Sequence, residues 1–181
     1  MTNRVKARNS AAPSAAVTLR EFRTADREWV AAANIRHYTE VEGFDASFAR
    51  TVDGALDMLV AVRNDKGSKF LIAERKDVST PAGCIFFSAE TPETGRIRLF
   101  YLDEALRGRG VGKHMLNQIR DHACRHGFKS IRVSTFDRHE AAGHLYRVAG
   151  FRGIEHDSAV AFGQNMRQID FELDLTGQED S

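Results

Sequence analysis

A glycine-rich turn, RGRGVGK at residues 107–113, separates two different patterns along this chain of 181 residues. Before the turn, residues 69–102 contain three short apolar runs joined by polar turns, which predict three antiparallel strands. After it, apolar residues recur at helical spacing up to Gly127, and residues 128–136 have the pattern of a strand. A strand, a helix and a strand in this order need a crossover connection, so the sequence predicts one parallel strand pair.

The other segments complete a mixed α/β layer structure. An alternating run at residues 17–22 predicts a first strand, and two helical patterns follow it, preceded by the capping residue types Thr24 and Asp45. A fourth helix is expected to begin at Asp137, with Glu140 three residues later as a variant of the capping box. Two final strands are predicted, and the whole order contains seven strands and four helices. These three helices are predicted at residues 29–41, 46–65 and 137–149, and the two final strands at residues 151–156 and 166–175.

The domain organisation predicted from these patterns is one α/β (α+β) domain over residues 17–175. Residues 1–16 are basic and rich in small side chains but lack the apolar centre of a secretory signal, so we expect a disordered tail. Residues 176–181 are polar and are expected to form a short C-terminal tail. No linker in the ordered region is long enough to divide it.

Composition excludes several classes of function. The chain has 26 Lys plus Arg against 25 Asp plus Glu, a formal net charge of +1, which disfavours a nucleic-acid partner. No apolar run approaches the roughly 20 residues of a membrane span, so no membrane partner is expected. Cys84 and Cys124 lie in apolar or helical patterns and are predicted to be small buried side chains, and no metal-ligand spacing is present. We therefore expect no metal and a reducing, cytoplasmic location.

The glycine-rich turn has the composition of an anion site. A helix N-terminus presents unpaired amide groups and a positive partial charge, and glycines let phosphate oxygens approach those amides. The spacing is not that of a P-loop, because His114 follows the lysine. A solvated basic loop with a capping glycine is the other interpretation. The glycines and cations of the turn are Gly108, Gly110, Gly112, Arg107, Arg109 and Lys113.

Two motifs resemble those of a known family. Arg107-x-x-Gly110-x-Gly112, placed after the strand RLFYL, resembles the acetyl-CoA motif of the GNAT superfamily of N-acetyltransferases, and AAGHLYRVAGF at residues 141–151 resembles its second signature. The segments GFDASF, STFD and AFGQ are similar to the acetyltransferase half of bacterial proteins that fuse a winged-helix MarR-type regulator to a GNAT domain, here without the winged-helix half. The resemblance implies the GNAT fold, a mixed, mostly antiparallel central sheet of about seven strands with helices on both faces and strands four and five splayed.

The resemblance also implies site residues. Tyr146 aligns with a tyrosine that protonates the departing coenzyme A thiolate, and a core residue with its hydroxyl at the rim is the other interpretation of it. His139 stands where the family often has an asparagine that helps to hold the cofactor. The acetyl-CoA arm is expected along the fourth strand, and its pyrophosphate on the amides of the glycine-rich turn. The implied cofactor-binding residues are Phe100, Tyr101, Leu102, Arg107, Gly108, Arg109, Gly110, Val111, Gly112, Lys113 and His139.

The general base is the point at which this chain departs from the family pattern. Arg96 and Arg98 occupy the region where many members carry a glutamate. Glu42 is our candidate, because the turn between the first two helices of such folds borders the acceptor cleft, and His37 and Tyr38 are expected to line the same cleft. The other candidates, each of which is also explained as a solvated surface charge, are Glu40, Asp45 and Glu90.

The resemblance predicts an acetyl-CoA-dependent N-acetyltransferase that acts by direct attack of a primary amine in a ternary complex. We expect the acceptor to be a small or amino-acid-like molecule rather than a protein, and a homodimer is the expected assembly if the chain associates. A non-catalytic acyl-CoA-binding sensor or interaction module is the alternative function, and the missing glutamate is its main support.

Overall fold

The computed structural model describes residues 17–178. The predicted N-terminal tail at residues 1–16 and the last three residues of the predicted C-terminal tail lie outside this range, whereas Thr176–Gln178 form a single 3-10 turn. The seven strands are β1 Val17–Glu21, β2 Lys69–Arg75, β3 Thr80–Ala89, β4 Thr94–Leu102, β5 Ser130–Phe136, β6 Arg152–Ala161 and β7 Gln164–Asp174. The four α-helices are α1 Arg27–Arg36, α2 Ser47–Ala61, α3 Val111–Arg125 and α4 Glu140–Val148.

The strands form one sheet in the order β1-β2-β3-β4-β5-β7-β6. All neighbouring strands are antiparallel except β4 and β5, which are parallel and joined by the α3 crossover. Their pairing is short: it runs from Thr94 opposite Ser130 to Arg96 opposite Arg132, and then the two strands separate. The predicted fold class, the parallel pair and the splayed fourth and fifth strands are all confirmed.

Helices cover both faces of the sheet over two apolar cores. On one face α3 and α4 pack on the sheet, where Met115, Ile119 and Phe171 are among the fully buried side chains. On the other face α1 and α2 cover β2, β3 and β4, with Leu56 and Phe86 at the centre. Burial of one such side chain stabilises the fold by about 1.5–3 kcal/mol, so both cores hold the sheet in place. Within residues 17–178, the helices are all too short or too polar to cross a bilayer.

Helix starts follow the predicted caps only in part. The carboxylate of Asp45 accepts the backbone N–H of Ser47 at 2.8 Å, as predicted for the start of α2. The Thr24 prediction was wrong, because its hydroxyl accepts a hydrogen bond from the Arg63 guanidinium instead. The carboxylate that accepts a backbone N–H in this loop belongs to Asp26.

The start of α4 also differs from the prediction. The helix begins at Glu140, three residues later than expected. Asp137 does not cap it, because its carboxylate accepts the backbone N–H groups of Arg138 and Arg167 and so ties the end of β5 to β7. A long-range hydrogen bond has replaced the local one that the spacing indicated.

Two other differences have clear physical causes. β6 extends to Ala161, well beyond the predicted segment, and it was missed because almost every one of its residues is exposed and no apolar alternation marks it. Cys84 is buried as predicted, but Cys124 is exposed, so that prediction was wrong. The helical pattern around Cys124 places it on the outer face of α3.

Candidate functional site

The separation of β4 from β5 opens a cleft of about 1050 Å³. The glycine-rich turn and the start of α4 border it, and the segment between α1 and α2 forms another wall. Most of the residues predicted from the sequence line this one cleft: Glu42, Phe100, Tyr101, Leu102, Arg107, Gly108, Gly110, Gly112, Lys113, His139 and Tyr146. Segments that are far apart in the sequence therefore meet at the splayed strands.

The glycine-rich turn exposes backbone amides at the start of α3. Gly108 and Gly110 have left-handed backbones, with φ of 70° and 77°, which glycine adopts at no steric cost. The first helical hydrogen bond runs from the His114 N–H to the Gly110 carbonyl, so the preceding amides have no helical acceptor. No described heavy atom lies within 4 Å of the position that a Cβ would take at Gly108. The turn therefore fits a phosphate group.

The cations of the turn differ in placement. Lys113 and Arg107 line the cleft, and the Arg107 Nε donates to the Leu102 carbonyl at 2.9 Å. Arg109 is exposed and outside the cleft lining, and the Val111 side chain is buried in the core. For Arg109 and Val111 the predicted role in cofactor binding therefore depends on their backbone amides.

The end of β4 presents a free edge to the cleft. Beyond Arg96, none of the described residues pairs with β4 on the β5 side. A bulge interrupts its pairing with β3, and Leu99 at the bulge has φ of 50° while its carbonyl accepts the Cys84 thiol. Such a bulge bends a strand and redirects the groups that follow it. Phe100 and Leu102 then line the cleft beside an edge that no strand of residues 17–178 covers, where the Leu102 carbonyl accepts the Arg107 Nε.

Tyr146 is 3 % exposed and lies on α4 with its ring packed against Phe100, Phe151 and Phe171. Its hydroxyl has no hydrogen-bond partner among residues 17–178, and the residue lines the cleft. Burial, assisted by the neighbouring Tyr38, raises the pKa of the phenol well above its ordinary value. Tyr146 therefore carries its proton throughout the neutral pH range.

Glu42 lies at the centre of a charged cluster. The segment His37–Val41 forms a π-helical turn after α1, and the Glu42 N–H closes it on the His37 carbonyl. The Glu42 carboxylate lies 3.0 Å from the Arg138 Nε, 3.6 Å from the His139 Nε2 and 3.8 Å from the His37 Nε2. The sequence predicted one helix through Val41. Its periodicity did not indicate that the last five residues form a wider, π-helical turn.

His139 belongs to this cluster. Its Nδ1 lies 3.0 Å from the Thr135 hydroxyl, and its ring packs against Tyr38 and Phe136. Its Nε2 is buried, and it has no hydrogen-bond partner within the described part of the chain. Burial lowers the pKa of His139, although the nearby Glu42 acts in the opposite direction. The neutral form of the imidazole therefore predominates at pH 7.

The other carboxylates considered from the sequence do not reach the cleft. Glu40 is exposed, and Asp45 is exposed and caps α2. Glu90 pairs with the Arg96 Nε at 2.5 Å, away from the cleft lining. Of the four candidates, only Glu42 lines the cleft.

Several residues of the site were not recognised from the sequence. Arg138 holds the Glu42 carboxylate, and Arg98 lines the cleft although the sequence indicated only the absence of a glutamate there. Aromatic side chains cover the wall next to the cluster. These aromatic residues are Tyr38, Phe44, Phe48 and Phe136. Tyr38 lines the cleft as expected, as does His37, but the three phenylalanines had not been assigned a role in the site.

Comparison with solved structures shows many with this fold. YncA from Salmonella typhimurium, solved with its cofactor acetyl-CoA, is 19% identical with a TM-score of 0.74, and the match covers 91% of this chain and 97% of that one. RimL, a ribosomal L7/L12 α-N-protein acetyltransferase in complex with coenzyme A, is 14% identical with a TM-score of 0.70, covering 89% and 95%. The spermidine/spermine N-acetyltransferase SpeG from Vibrio cholerae is 15% identical with a TM-score of 0.65, covering 93% and 100%.

Sequence comparison tests which family the chain belongs to. No curated protein matches the chain. The closer resemblance to MarR–GNAT fusion proteins therefore stays a prediction. The model of the acetyltransferase (GNAT) family matches residues 25–151, which include the glycine-rich turn and Tyr146. The chain therefore belongs to the GNAT family of acetyltransferases.

Proposed function

We propose that this protein transfers the acetyl group of acetyl-CoA to a primary amine. The observation that carries the proposal is that one cleft brings together the open N-terminus of α3 and the unpartnered, protonated hydroxyl of Tyr146. The helix N-terminus can bind the phosphates of the acyl donor, and the tyrosine hydroxyl can give a proton to its sulfur. In this proposal acetyl-CoA supplies an activated thioester, and the residues of the chain bind it and move protons.

The donor is held by backbone groups in this proposal. Amides at the start of α3, with Lys113 and Arg107, bind the pyrophosphate, and the free edge of β4 from Phe100 to Leu102 pairs with the extended arm. An unpaired N–H near Leu102 stabilises the negative charge that develops on the carbonyl oxygen. These contacts fix the thioester close to Tyr146.

Two proton transfers complete the reaction. The acceptor nitrogen bonds to the carbonyl carbon, the carbon–sulfur bond breaks, and Tyr146 gives its proton to the departing sulfur. The proton that the amine must lose passes to the His139 Nε2, which is neutral and lies next to the Glu42 carboxylate. The Glu42 charge stabilises the imidazolium that forms. His139 therefore serves the acceptor side, in addition to the cofactor role implied by the resemblance.

A non-catalytic acyl-CoA-binding module is the second candidate function. It is favoured by Arg98, a cation in the region of β4 where many family members carry a carboxylate. We propose the catalytic function ahead of it because the Glu42–His139 pair supplies a base from another part of the chain. A small-molecule acceptor, a cytoplasmic location and a homodimer as the assembly remain parts of the proposal.

Calorimetric titration with acetyl-CoA tests the donor site. A matched pair of variants, Gly110→Asp and Gly110→Asn, places a charged or a neutral side chain of the same shape at the start of α3. Both residue types tolerate the left-handed backbone better than other side chains, so both variants are expected to fold. We expect micromolar binding to the unmodified protein, weak binding to Gly110→Asn and none to Gly110→Asp.

A screen of primary amines with detection of released coenzyme A separates the two functions. Binding together with amine-dependent release supports the enzyme. Binding without release for any amine supports the acyl-CoA-binding module. Absence of binding to the unmodified protein contradicts both.

A further inference from the structure

The charges that line the cleft do not balance. Two carboxylates line the cleft: Glu42, which pairs with Arg138, and Glu140, which is exposed at the start of α4. The lining also contains the cations Lys113 and Arg107, which belong to the glycine-rich turn. Arg98 also lines the cleft, and no carboxylate or hydrogen-bond acceptor in residues 17–178 contacts its guanidinium. Arg98 is exposed to solvent in the cleft, and a guanidinium in such a position can bind an anionic group of a substrate.

The position of Arg98 follows from the sheet. It pairs with Phe86, whose side chain lies in the core under α1 and α2, so Arg98 projects from the same face. Arg96 lies two residues earlier on that face, where its guanidinium pairs with Glu90 and donates to the Ser134 hydroxyl. Because β5 separates from β4 after Arg96, the Arg98 side chain has no such partner and faces the cleft.

Arg98 lines the same cleft as the reacting groups of the proposed function. Arg98 and Phe100 are two residues apart in β4, and the bulge between them turns Phe100 toward the core under α3 and α4 while Arg98 stays on the other face. The Phe100 ring lies 6.5 Å from the Tyr146 ring. One small molecule in the cleft can therefore contact the Arg98 guanidinium with one group and lie near Tyr146 with another.

The wall beside the cluster is apolar. Phe44 is 4 % exposed and stacks on Tyr38, while Tyr38 contacts Phe48 and His139. These rings line the cleft next to the Glu42–His139 pair. A hydrocarbon or aromatic side chain on the acceptor is the group that such a wall stabilises by removal from water.

We propose that the acceptor is an amino acid with an apolar side chain, whose carboxylate pairs with Arg98 while its amine reaches the Glu42–His139 pair. The inference rests on the proposed function and names its substrate class. The Arg98 guanidinium can bind a carboxylate through two parallel hydrogen bonds. The acceptor amine sits between this anchor and the thioester, and the side chain lies against the aromatic wall.

Matched acceptors test the class. L-phenylalanine, L-phenylalaninamide and L-alanine differ in one group at a time: the amide lacks the negative charge, and alanine lacks the ring. We expect kcat/KM to be highest for L-phenylalanine, although the amine of the amide loses its proton more readily. A second readout is calorimetric binding of N-acetyl-L-phenylalanine, the product, which keeps the carboxylate and has no amine.

Matched variants test the residue. Arg98→Gln is expected to reduce the preference for L-phenylalanine over its amide by about 10–100-fold, the usual effect of losing a charge-assisted pair. Affinity for N-acetyl-L-phenylalanine falls by the same factor, and Arg98→Lys restores part of both. Arg96→Gln is the control, because Arg96 lies on the same face of the same strand, outside the cleft lining.

The outcomes separate the two proposals. Equal losses for the acid and the amide in Arg98→Gln, or a preference for the amide in the unmodified protein, overturn the inference. If the protein acetylates amines that have no carboxylate but neither of the phenylalanine compounds, the inference is overturned and the proposed function stands. Binding of acetyl-CoA with no acetylation of any amine overturns the proposed function, and the inference fails with it.

Discussion

The buried Nε2 of His139 lies 3.6 Å from the Oε2 of Glu42, and no group within residues 17–178 forms a hydrogen bond with it. An unpartnered buried ring nitrogen is costly for a fold, and such groups occur where a ligand or a proton transfer uses them. The pair connects the turn after α1 with the start of α4, and it faces the same cleft as Tyr146.

The first prediction concerns the pH dependence of turnover. Burial lowers the pKa of His139 below its ordinary value of 6.5, so the neutral, proton-accepting form predominates at pH 7. We expect kcat/KM to decrease only below about pH 6.5, as the imidazole gains a proton. His139→Gln removes this acidic limb. Glu42→Gln moves it to lower pH, because the carboxylate that raises the pKa is gone. An unchanged limb in His139→Gln would assign the base to another group.

The second prediction concerns the proton donor. Tyr146→Phe removes one oxygen from a buried ring whose packing against Phe151 and Phe171 is retained. We expect kcat to decrease by about 10²–10⁴-fold, while the dissociation constant of acetyl-CoA changes little. Stopped-flow turnover and calorimetry measure the two quantities separately. Full activity of this variant would mean that the tyrosine is a core residue only.

The third prediction concerns the cations of the glycine-rich turn. Lys113 lines the cleft, whereas Arg109 is exposed and outside its lining. Lys113→Ala is expected to weaken acetyl-CoA binding about 10-fold, and more at low salt, because a charge-assisted contact to phosphate is lost. Arg109→Ala is the matched control and is expected to have a much smaller effect. Equal effects of the two variants would mean that the general positive charge of the turn, and not a direct contact of Lys113, attracts the phosphates.

The fourth prediction concerns stability away from the cleft. Both carboxylate oxygens of Asp26 accept from the Arg20 guanidinium at 2.8 Å, and the side chain is 8% exposed. Asp26→Ala removes these hydrogen bonds and the one from the Arg23 N–H, while Arg20 keeps its pair with Glu74, and we expect the free energy of unfolding to decrease by about 2 kcal/mol.

An exposed pair is the control for this variant. Asp57 pairs with Arg27, but its side chain is 72% exposed, so Asp57→Ala is expected to change stability little. Urea unfolding measures both variants. Equal destabilisation by the two substitutions would contradict the assignment of Asp26 to a buried pair.

The fifth prediction concerns the two thiols. Burial raises the pKa of Cys84 to about 12, whereas Cys124 is exposed. A thiol reagent is therefore expected to modify one cysteine per native chain, and none in Cys124→Ser, with both cysteines reacting after denaturation. Two fast thiols in the native protein would contradict the burial of Cys84. The Cys124→Ser variant is also the suitable background for assays that detect released coenzyme A by its thiol.

Local patterns determined most of the element order. Strand alternation, helical spacing and the glycines of residues 107–113 depend on neighbours in the sequence, and they predicted the meander, the crossover helix and the parallel pair. The same patterns missed the length of β6, because an exposed edge strand has no apolar face to reveal it. They also misplaced the start of α4, where Asp137 binds β7 instead of the helix.

Tertiary structure alone decided how the charged side chains of the cleft pair. Glu42, Arg98 and His139 come from segments far apart in the sequence. Neither the π-helical turn before Glu42 nor the bulge at Leu99 has a local signature. Arg96 and Arg98 look equivalent in the alternating sequence. Only the register of the sheet places Glu90 against Arg96, and only the separation of β5 from β4 leaves Arg98 facing the cleft. Strand register and divergence arise from packing over the whole domain, and for that physical reason they cannot be predicted from neighbours along the chain.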